Sequence, residues 1–339
     1  MVTLERQKIM YLNLEEVNLL IEKIESAQTI IIHRHVSPDP DAIGSQLGLK
    51  TLIKNGYPTK RVLAAGTMSQ GLKWLGEMDP VTREDYESAL VIVVDTANHP
   101  RIDTTINSNY IHWNIKIDHH PDVDQYADFQ IVHTQASSTS ELISFISRYS
   151  DDRLPMDDVA ARYLYTGILG DTGRFMYNST TPLTFDAAAY LIQFDFNAQY
   201  LSDMMAQITL DEAKFHGYFY EKLAIEDGVA YVTITQEEMK RFNVTEEQSN
   251  STVNLPSRLA GVYSWVTFVE QEGSDVAYRC RIRSRGPVIN GIAANHDGGG
   301  HPMASGANVY SQEELNELID EMKNAVKNYL KEREEVNVI

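Results

Sequence analysis

The sequence has little cysteine, less positive than negative charge, and no long apolar run. A single cysteine among 339 residues, Cys280, excludes a framework of disulfide bonds. No apolar stretch approaches the roughly 20 residues that a membrane-spanning helix needs, and the first residues lack the apolar core of a signal peptide. From these absences we expect a cytoplasmic protein that does not enter a membrane.

The charge balance limits the nucleic acids that the protein could bind. Lysine and arginine together number 29 against 48 aspartates and glutamates, which gives a formal net charge of −19. Such an excess repels a long polyanion such as duplex DNA. We therefore expect any nucleic-acid ligand to be short, or to be neutralised locally by metal ions or clustered arginines.

Short apolar runs alternate with helix-like segments in the first half of the chain. The runs are "TIIIH" at residues 29–33, "ALVIVVD" ending at Asp95 and "NIKID" ending at Asp118, with segments such as "AIGSQLGLKTLIKNG" between them. Strands that alternate with helices form βαβ units, whose parallel strands are buried and continuously apolar. The sequence therefore predicts the α/β class, with a mostly parallel N-terminal sheet flanked by helices.

The length of the chain favours two domains. A long helical stretch runs from "TFDAAAYLIQF" through "DEAKFHGYFYEKL", with no turn cluster before Glu226. We expect an N-terminal domain at residues 1–185, a helical connector at 186–222, and a smaller α+β domain with a mixed sheet at 223–339.

Polar clusters follow the predicted strands, where ligands of parallel sheets gather. The clusters contain His35, Asp39 and Asp41, then Asp95, then Asp118, His119 and His120. Because Pro38 and Pro40 exclude a regular helix through the first cluster, we expect a tight loop there. Asp171, in "YLYTGILGDTGRF", is expected to enter the same crevice from a loop.

Metal binding and helix capping both explain the first cluster. Aspartates before "AIGSQLGL" often cap a helix, and on Asp39 and Asp41 alone the two explanations are equally good. The recurrence of such residues at two other strand ends favours metal binding. Carboxylates with two imidazoles and no thiolate suit Mn²⁺ or Mg²⁺, and six candidate ligands fit two ions that share a carboxylate. His33, two residues before His35, is expected to be no ligand.

The second half contains arginines at period two and a glycine run. Arg279, Arg281, Arg283 and Arg285 would share one face of a strand. They would either bind phosphate groups or pair with surface acids on a solvated edge strand. The three glycines before His301 would form either a flexible turn or a nest of backbone N–H groups for an anion.

Five motifs in this order carry a resemblance to a known family: "HVSPDPDAIGS", "VVDTAN", "DHH", "GILGDTGRF" and "GGGHPMASG". Over nearly its whole length the chain resembles the DHH phosphoesterase superfamily, in the branch with the DHH-associated C-terminal domain. The resemblance implies a catalytic N-terminal domain, a substrate-binding C-terminal domain, and two Mn²⁺ ions, with Mg²⁺ or Co²⁺ as alternatives.

The resemblance also assigns roles to single residues. One ion is expected at His35, Asp39 and Asp95, and the second at Asp41, Asp95, His119 and Asp171. Asp118 is expected to orient a histidine and His120 to face the substrate phosphate, so these two are the candidate catalytic residues. The candidate substrate-binding residues are Arg283, Arg285, Gly299, Gly300 and His301.

Within the superfamily the chain most resembles bacterial enzymes that hydrolyse oligoribonucleotides of two to five nucleotides, and 3′-phosphoadenosine 5′-phosphate (pAp). The products would be mononucleotides from RNA, and AMP with phosphate from pAp. That resemblance implies attack on phosphorus by a hydroxide that two metal ions activate. The sequence leaves the oligomeric state open, a homodimer being one option.

Other functions also agree with the motifs. A cyclic or linear dinucleotide phosphodiesterase of the superfamily would use the same site, and so would a family inorganic pyrophosphatase, although "GGGH" argues against the latter. From a different class, the chain could be a nucleotide-binding regulator without turnover. The presence of all six candidate ligands argues against that alternative.

Overall fold

The structure is a computed structural model and describes residues 12–336. The chain divides into two units, the first ending at Ala206 and the second beginning at Gln207. Among the described residues, no helix has the length and apolarity needed to cross a bilayer.

The first unit is built on a sheet of five parallel strands in the order β2-β1-β3-β4-β5. Its strands are β1 (Thr29–His33), β2 (Arg61–Ala64), β3 (Leu90–Val94), β4 (Ile115–Asp118) and β5 (Phe129–Val132). The three predicted apolar runs form β1, β3 and β4, which lie side by side in the sheet and are almost wholly buried. The predicted α/β class and parallel sheet are confirmed.

Within residues 12–206 the first unit has six α-helices: α1 (Leu14–Ser26), α2 (Pro40–Gly56), α3 (Thr139–Arg148), α4 (Asp158–Asp171), α5 (Pro182–Leu191) and α6 (Ala198–Ala206). Two glycines allow α2 and α4 to pack closely. A Cβ atom on Gly44 of α2 would lie 2.5 Å from the carbonyl oxygen of Tyr163 in α4. A Cβ atom on Gly167 of α4 would lie 2.6 Å from Oδ1 of Asp41 in α2. This close packing brings the start of α2 beside the end of α4.

The predicted long helical stretch is divided into three helices. They are α5, α6 and a third, α7 (Leu210–Lys222), and the boundary between the two units falls between α6 and α7. Thr209 ends the extended segment before α7 by capping that helix, because its hydroxyl accepts the N–H of Glu212 while the Glu212 carboxylate accepts that of Thr209. That this segment acts as a connector stays a prediction.

The second unit contains a six-stranded mixed sheet in the order β10-β11-β9-β8-β7-β6. Its strands are β6 (Ala224–Glu226), β7 (Val229–Ile234), β8 (Ser264–Glu270), β9 (Tyr278–Ser284), β10 (Gly299–His301) and β11 (Ala304–Val309). Only β7 and β8 run parallel to each other. The remaining helices are α8 (Gln236–Arg241), α9 (Glu246–Ser249), α10 (Asn290–Asn295) and α11 (Gln312–Val336). The predicted mixed sheet is confirmed, and so is the C-terminal helix, whose apolar residues pack in the core that includes β9.

Two alternatives that the sequence left open for the second sheet are excluded. The arginine strand is not at an edge, because β9 lies between β8 and β11. The glycine run is not a free turn, because it forms β10 and pairs antiparallel with β11. A Cβ atom on Gly298 would lie 2.1 Å from the carbonyl oxygen of Gly306, and Gly300 has φ +139°. Close approach to β11 and backbone conformation therefore require glycine at these two positions.

The environment of Cys280 predicts an unreactive thiol. Its side chain is 3% exposed, in the core beneath β9, and burial raises its pKa to about 12. Because the thiolate is the nucleophile, native protein should not react with a disulfide reagent at about pH 8, while urea-unfolded protein should release one equivalent of reporter. Full reaction of the native protein within the time taken by the unfolded chain would contradict this packing.

Candidate metal centre

The predicted ligands come together at the carboxyl ends of β1, β3 and β4. His35 follows β1, Asp95 follows β3, and His119 follows β4. Three overlapping groups have ligand atoms within 4.8 Å of one another. The groups are His35, Asp39 and Asp95; Asp41, His119 and Asp171; and Asp95, His119 and His120. All six residues predicted as metal ligands thus lie in one cluster.

Asp95 lies at the centre of this cluster. Its Oδ2 is 3.5 Å from Nε2 of His35, and its Oδ1 is 3.5 Å from Nε2 of His119. The two carboxylate oxygens therefore face different groups of candidate ligands. The residue is 1% exposed and has φ 50°, a left-handed conformation that aspartate tolerates better than most residues.

The structure reconciles capping with metal binding at the first cluster. Asp39 is the N-cap of α2, and its Oδ1 accepts the N–H of Ala42 at 2.9 Å. Its Oδ2 lies 3.7 Å from Nε2 of His35. One carboxylate can therefore serve both purposes through different oxygens. The expected loop is shorter than predicted, because Pro40 begins α2 and Asp41 lies in the first helical turn.

Asp41 is fixed by α3, a helix that was not among the predicted elements. Its Oδ2 accepts the N–H of Thr139 at 2.7 Å and its Oδ1 accepts that of Ser140 at 2.9 Å, both in the first turn of α3. The positive end of the helix dipole favours a carboxylate there. The signal was present in "SSTSEL", where Ser138 caps the helix three residues before Glu141.

Asp171 is the last residue of α4 and does not enter from a loop, which corrects the prediction. Its Oδ2 lies 3.1 Å from Nε2 of His119. The close packing of α2 on α4 places it beside Asp41 and His119 in one of the three groups.

The carboxylates of the cluster repel one another in the absence of cations. Burial, reinforced by the charges of Asp95 and Asp171, raises the pKa of Asp41 well above its usual range. Burial likewise raises the pKa of Asp171 to about 6, although the hydrogen bond from His119 opposes this. Carboxylates in this condition must either take up protons or bind a positive ion.

The two histidines respond to the same charge. Burial would lower the pKa of His35, but hydrogen bonds to Asp39 and Asp95 outweigh it and raise the pKa to about 10. Burial would also lower the pKa of His119, but its hydrogen bond to Asp171 outweighs burial and raises the pKa well above its usual range. Oxygen ligands, two imidazoles and unmet negative charge together fit divalent cations such as Mn²⁺ or Mg²⁺.

Asp118 and His120 form a hydrogen-bonded pair beside the cluster. Oδ1 of Asp118 accepts Nδ1–H of His120 at 2.8 Å and the backbone N–H groups of His119 and His120. Burial would raise the pKa of Asp118, but the hydrogen bond from His120 outweighs it and lowers the pKa. The buried Lys116 places its Nζ 3.7 Å from Oδ2 of Asp118. Lys116 was not among the predicted site residues, although it is the one charged residue before the final aspartate in "NIKID".

His33 has protein partners at both ring nitrogens. Its Nδ1–H donates to the carbonyl oxygen of Asp103 at 2.8 Å, and its Nε2 accepts from the hydroxyl of Tyr86 at 2.9 Å. Burial lowers its pKa to about 4. A neutral histidine with both nitrogens occupied has a structural role, in agreement with the expectation that His33 is no ligand.

The candidate substrate-binding residues of the second unit differ in their surroundings. Arg283 lies on β9 beside Ala304 of β11, and Gly299, Gly300 and His301 are exposed on β10. Arg285 lies beyond the end of β9, and its guanidinium donates to the carbonyl oxygens of Val262, Ser257 and Leu259. These bonds explain Arg285 as a structural residue. They do not favour the prediction that it binds phosphate.

Comparison with known proteins gives concordant results for both units. Residues 29–168 match the DHH family, N-terminal domain, and residues 226–328 match the DHHA1 domain. The chain is 47% identical over 311 residues to a protein of Streptococcus mutans named probable bifunctional oligoribonuclease and PAP phosphatase NrnA, across 91% of this chain and 98% of that one. It is 40% identical over 312 residues to the bifunctional oligoribonuclease and PAP phosphatase NrnA of Bacillus subtilis, with the same coverage of 91% and 98%.

A solved structure agrees with the fold over both units. An exopolyphosphatase-related protein from Bacteroides fragilis superposes with a TM-score of 0.82 at 25% identity, covering 94% of this chain and 97% of that one.

Thr139 supplies a test of the cluster as a metal site. Its N–H holds Asp41, and its hydroxyl donates to Oδ1 of Asp95 at 3.1 Å, so one residue orients candidate ligands of both groups. Thr139→Val removes the hydroxyl and keeps the shape. It should weaken Mn²⁺ binding by about 10-fold, as loss of a hydrogen bond to a ligand commonly does, in a titration followed by electron paramagnetic resonance.

Two further variants control this experiment. Thr139→Ser keeps the hydroxyl and should bind Mn²⁺ nearly as the wild type does. Ser144→Ala removes a buried hydroxyl of the same helix, which donates to the carbonyl oxygen of Glu141, and should leave affinity unchanged. Wild-type affinity in Thr139→Val would show that its hydroxyl does not orient a ligand.

Proposed function

The chain belongs to the DHH family and is a phosphoesterase, and from this premise we propose that it hydrolyses short oligoribonucleotides to mononucleotides and pAp to AMP and phosphate. The observation that carries the proposal is the position of Asp95, which belongs to two of the three ligand groups and lies 3.5 Å from His119 of the third. The chain also aligns with nearly the full length of two relatives named for these activities. A cytoplasmic location and a homodimer stay predictions.

We propose two Mn²⁺ ions as cofactors, with Mg²⁺ or Co²⁺ as alternatives. His35, Asp39 and Asp95 would hold one ion, and Asp41, Asp95, His119 and Asp171 the other. Ions bound there would supply Lewis acidity at the phosphate and lower the pKa of water. The carboxylates that now repel one another are the groups that such ions would stabilise.

The reaction is attack of water on phosphorus, in line with a departing ribose oxygen that takes up a proton. Asp118 fixes the ring of His120 through a hydrogen bond at Nδ1. We propose that the other ring nitrogen, Nε2, donates a hydrogen bond to a phosphoryl oxygen of the substrate. A donor fixed before the substrate arrives can stabilise charge as it develops in the transition state. Lys116 behind Asp118 supports this orientation, because its ammonium group lies beside the other carboxylate oxygen.

Charge repulsion explains why the substrate should be short. A protein of net charge −19 repels the many phosphates of a long RNA, whereas a short substrate brings only one or two phosphates, which metal ions bound at the centre would coordinate. We expect Arg283, Gly299, Gly300 and His301 to contribute to substrate binding, and their replacement to raise KM.

Substrate length and type can be tested in one series of assays. With Mn²⁺, purified protein should hydrolyse pAp and a diribonucleotide, and should act much more slowly on a 24-mer. Comparable rates on the 2-mer and the 24-mer would contradict the length preference. Faster turnover of cyclic dinucleotides would favour the alternative phosphodiesterase, and nucleotide binding without hydrolysis would favour the regulator.

Asp95 should be the most sensitive position. Asp95→Asn keeps the side-chain shape and a residue that tolerates positive φ, but removes a charge shared by both proposed ion sites. Hydrolysis at saturating Mn²⁺ should fall by roughly 1,000-fold, since losing several kcal/mol of charge stabilisation corresponds to such a factor. Asp128→Asn, at an exposed aspartate paired with His112, should retain wild-type activity. Near wild-type hydrolysis by Asp95→Asn would exclude the shared-ligand assignment.

A further inference from the structure

The first unit carries an exposed arginine, Arg101, next to the cluster of candidate metal ligands and outside the sequence motifs. Arg101 ends a short 3-10 helix (His99–Arg101) that follows β3 and Asp95. Its Nη2 lies 3.5 Å from Nδ1 of His35. Only the imidazole of His35 separates this guanidinium from the group formed with Asp39 and Asp95, which face Nε2 of the same ring.

The backbone holds Arg101 in this place. Its carbonyl oxygen accepts the N–H of Val36 at 2.7 Å, and the next residue, Ile102, forms a β-bridge with His35. The N–H of Asp103 donates to the carbonyl oxygen of Arg34, and the side chains of the same two residues form a buried ion pair. The segment after β3 is therefore tied to the segment after β1 at three successive positions.

The guanidinium of Arg101 is not used to pair with an acid. Among residues 12–336 it forms no ion pair with a carboxylate, whereas Arg34, Arg61 and Arg148 of the same unit each do. Its contact with Nδ1 of His35 is long at 3.5 Å, and that nitrogen has a closer partner in the carbonyl oxygen of Val36 at 2.8 Å.

The charge at the centre shows what such a cation could bind. The four candidate carboxylates at Asp39, Asp41, Asp95 and Asp171 carry four negative charges, which two divalent ions would balance. A phosphate that enters the centre would then add negative charge that the two ions do not balance. A guanidinium offers forked N–H donors that match phosphate oxygens.

We propose that Arg101 binds a phosphate group of the substrate beside the ion position that His35, Asp39 and Asp95 would form. This inference rests on the proposed phosphoesterase function and adds a substrate contact from the N-terminal unit. Arg101 touches the ring of a candidate ligand through its outer nitrogen and contacts none of the candidate carboxylates. It should therefore affect substrate affinity and leave metal affinity intact.

Steady-state kinetics with Mn²⁺ separate these two effects. Arg101→Gln should raise KM for pAp by roughly 10-fold or more, as loss of a charged hydrogen bond does, and should lower kcat less. Arg101→Lys keeps the charge but not the forked donors, and its KM should lie between those of the wild type and Arg101→Gln. Raising the salt concentration should increase KM for the wild type more than for Arg101→Gln, since the lost contact is electrostatic.

Arg83→Gln is the matched control. Arg83 is an exposed arginine of the same unit that stacks on Tyr110 and contacts no residue of the cluster. This variant should keep wild-type KM and kcat. Substrates with and without a 5′-phosphate, pApA and ApA, identify the phosphate that Arg101 binds. An effect on pApA alone places it at the terminal phosphate, and an equal effect on both places it at the scissile one.

The outcomes distinguish this inference from the function beneath it. Unchanged KM in Arg101→Gln, in a wild-type enzyme that does hydrolyse pAp, would overturn the role of Arg101 alone. Weaker Mn²⁺ binding in Arg101→Gln, in proportion to the rise in KM, would also overturn it, because Arg101 would then act through His35. A wild-type protein that hydrolyses neither pAp nor diribonucleotides would overturn both proposals.

Discussion

The site depends on one buried carboxylate, that of Asp95, whose two oxygens face two different groups of candidate metal ligands. Asp95 follows the central strand β3, adopts a left-handed backbone conformation, and directs one oxygen toward His35 and the other toward His119. A shared carboxylate can hold two ions close together only if its orientation is fixed. The neighbouring strands β1 and β4 supply residues on either side, and so the order β1-β3-β4 in the sheet determines the geometry of the centre.

Much of the surrounding structure stabilises this concentration of acids. The N-terminus of α3 donates two N–H groups to Asp41, and Lys116 lies behind Asp118. Glycines in α2 and α4 allow the two helices to approach until Asp41 and Asp171 belong to one group. Each contact is local, yet together they hold negative charges that would otherwise separate. The remaining imbalance favours binding of divalent cations.

The sequence predicted the parallel sheet and the cluster because both follow from strong local signals. Buried parallel strands are continuously apolar, and the candidate ligands come directly after them. The supporting residues were harder to find. Thr139 contacts Asp95, which is 44 residues away in the sequence, and Arg101 contacts His35, which is 66 residues away. Neither Thr139 nor Arg101 lies in a motif. The helical placement of Asp171 was missed because the adjacent glycines indicated a loop. The bonds of Arg285 were missed because side-chain periodicity identifies a shared face and does not identify partners.

The most direct test of a shared two-ion centre is diffraction from crystals grown with Mn²⁺, measured at the manganese absorption edge. The account predicts two anomalous peaks on opposite sides of the Asp95 carboxylate. One should be bounded by His35 and Asp39, and the other by Asp41, His119 and Asp171. A single peak, or two peaks that do not share Asp95, would contradict the account.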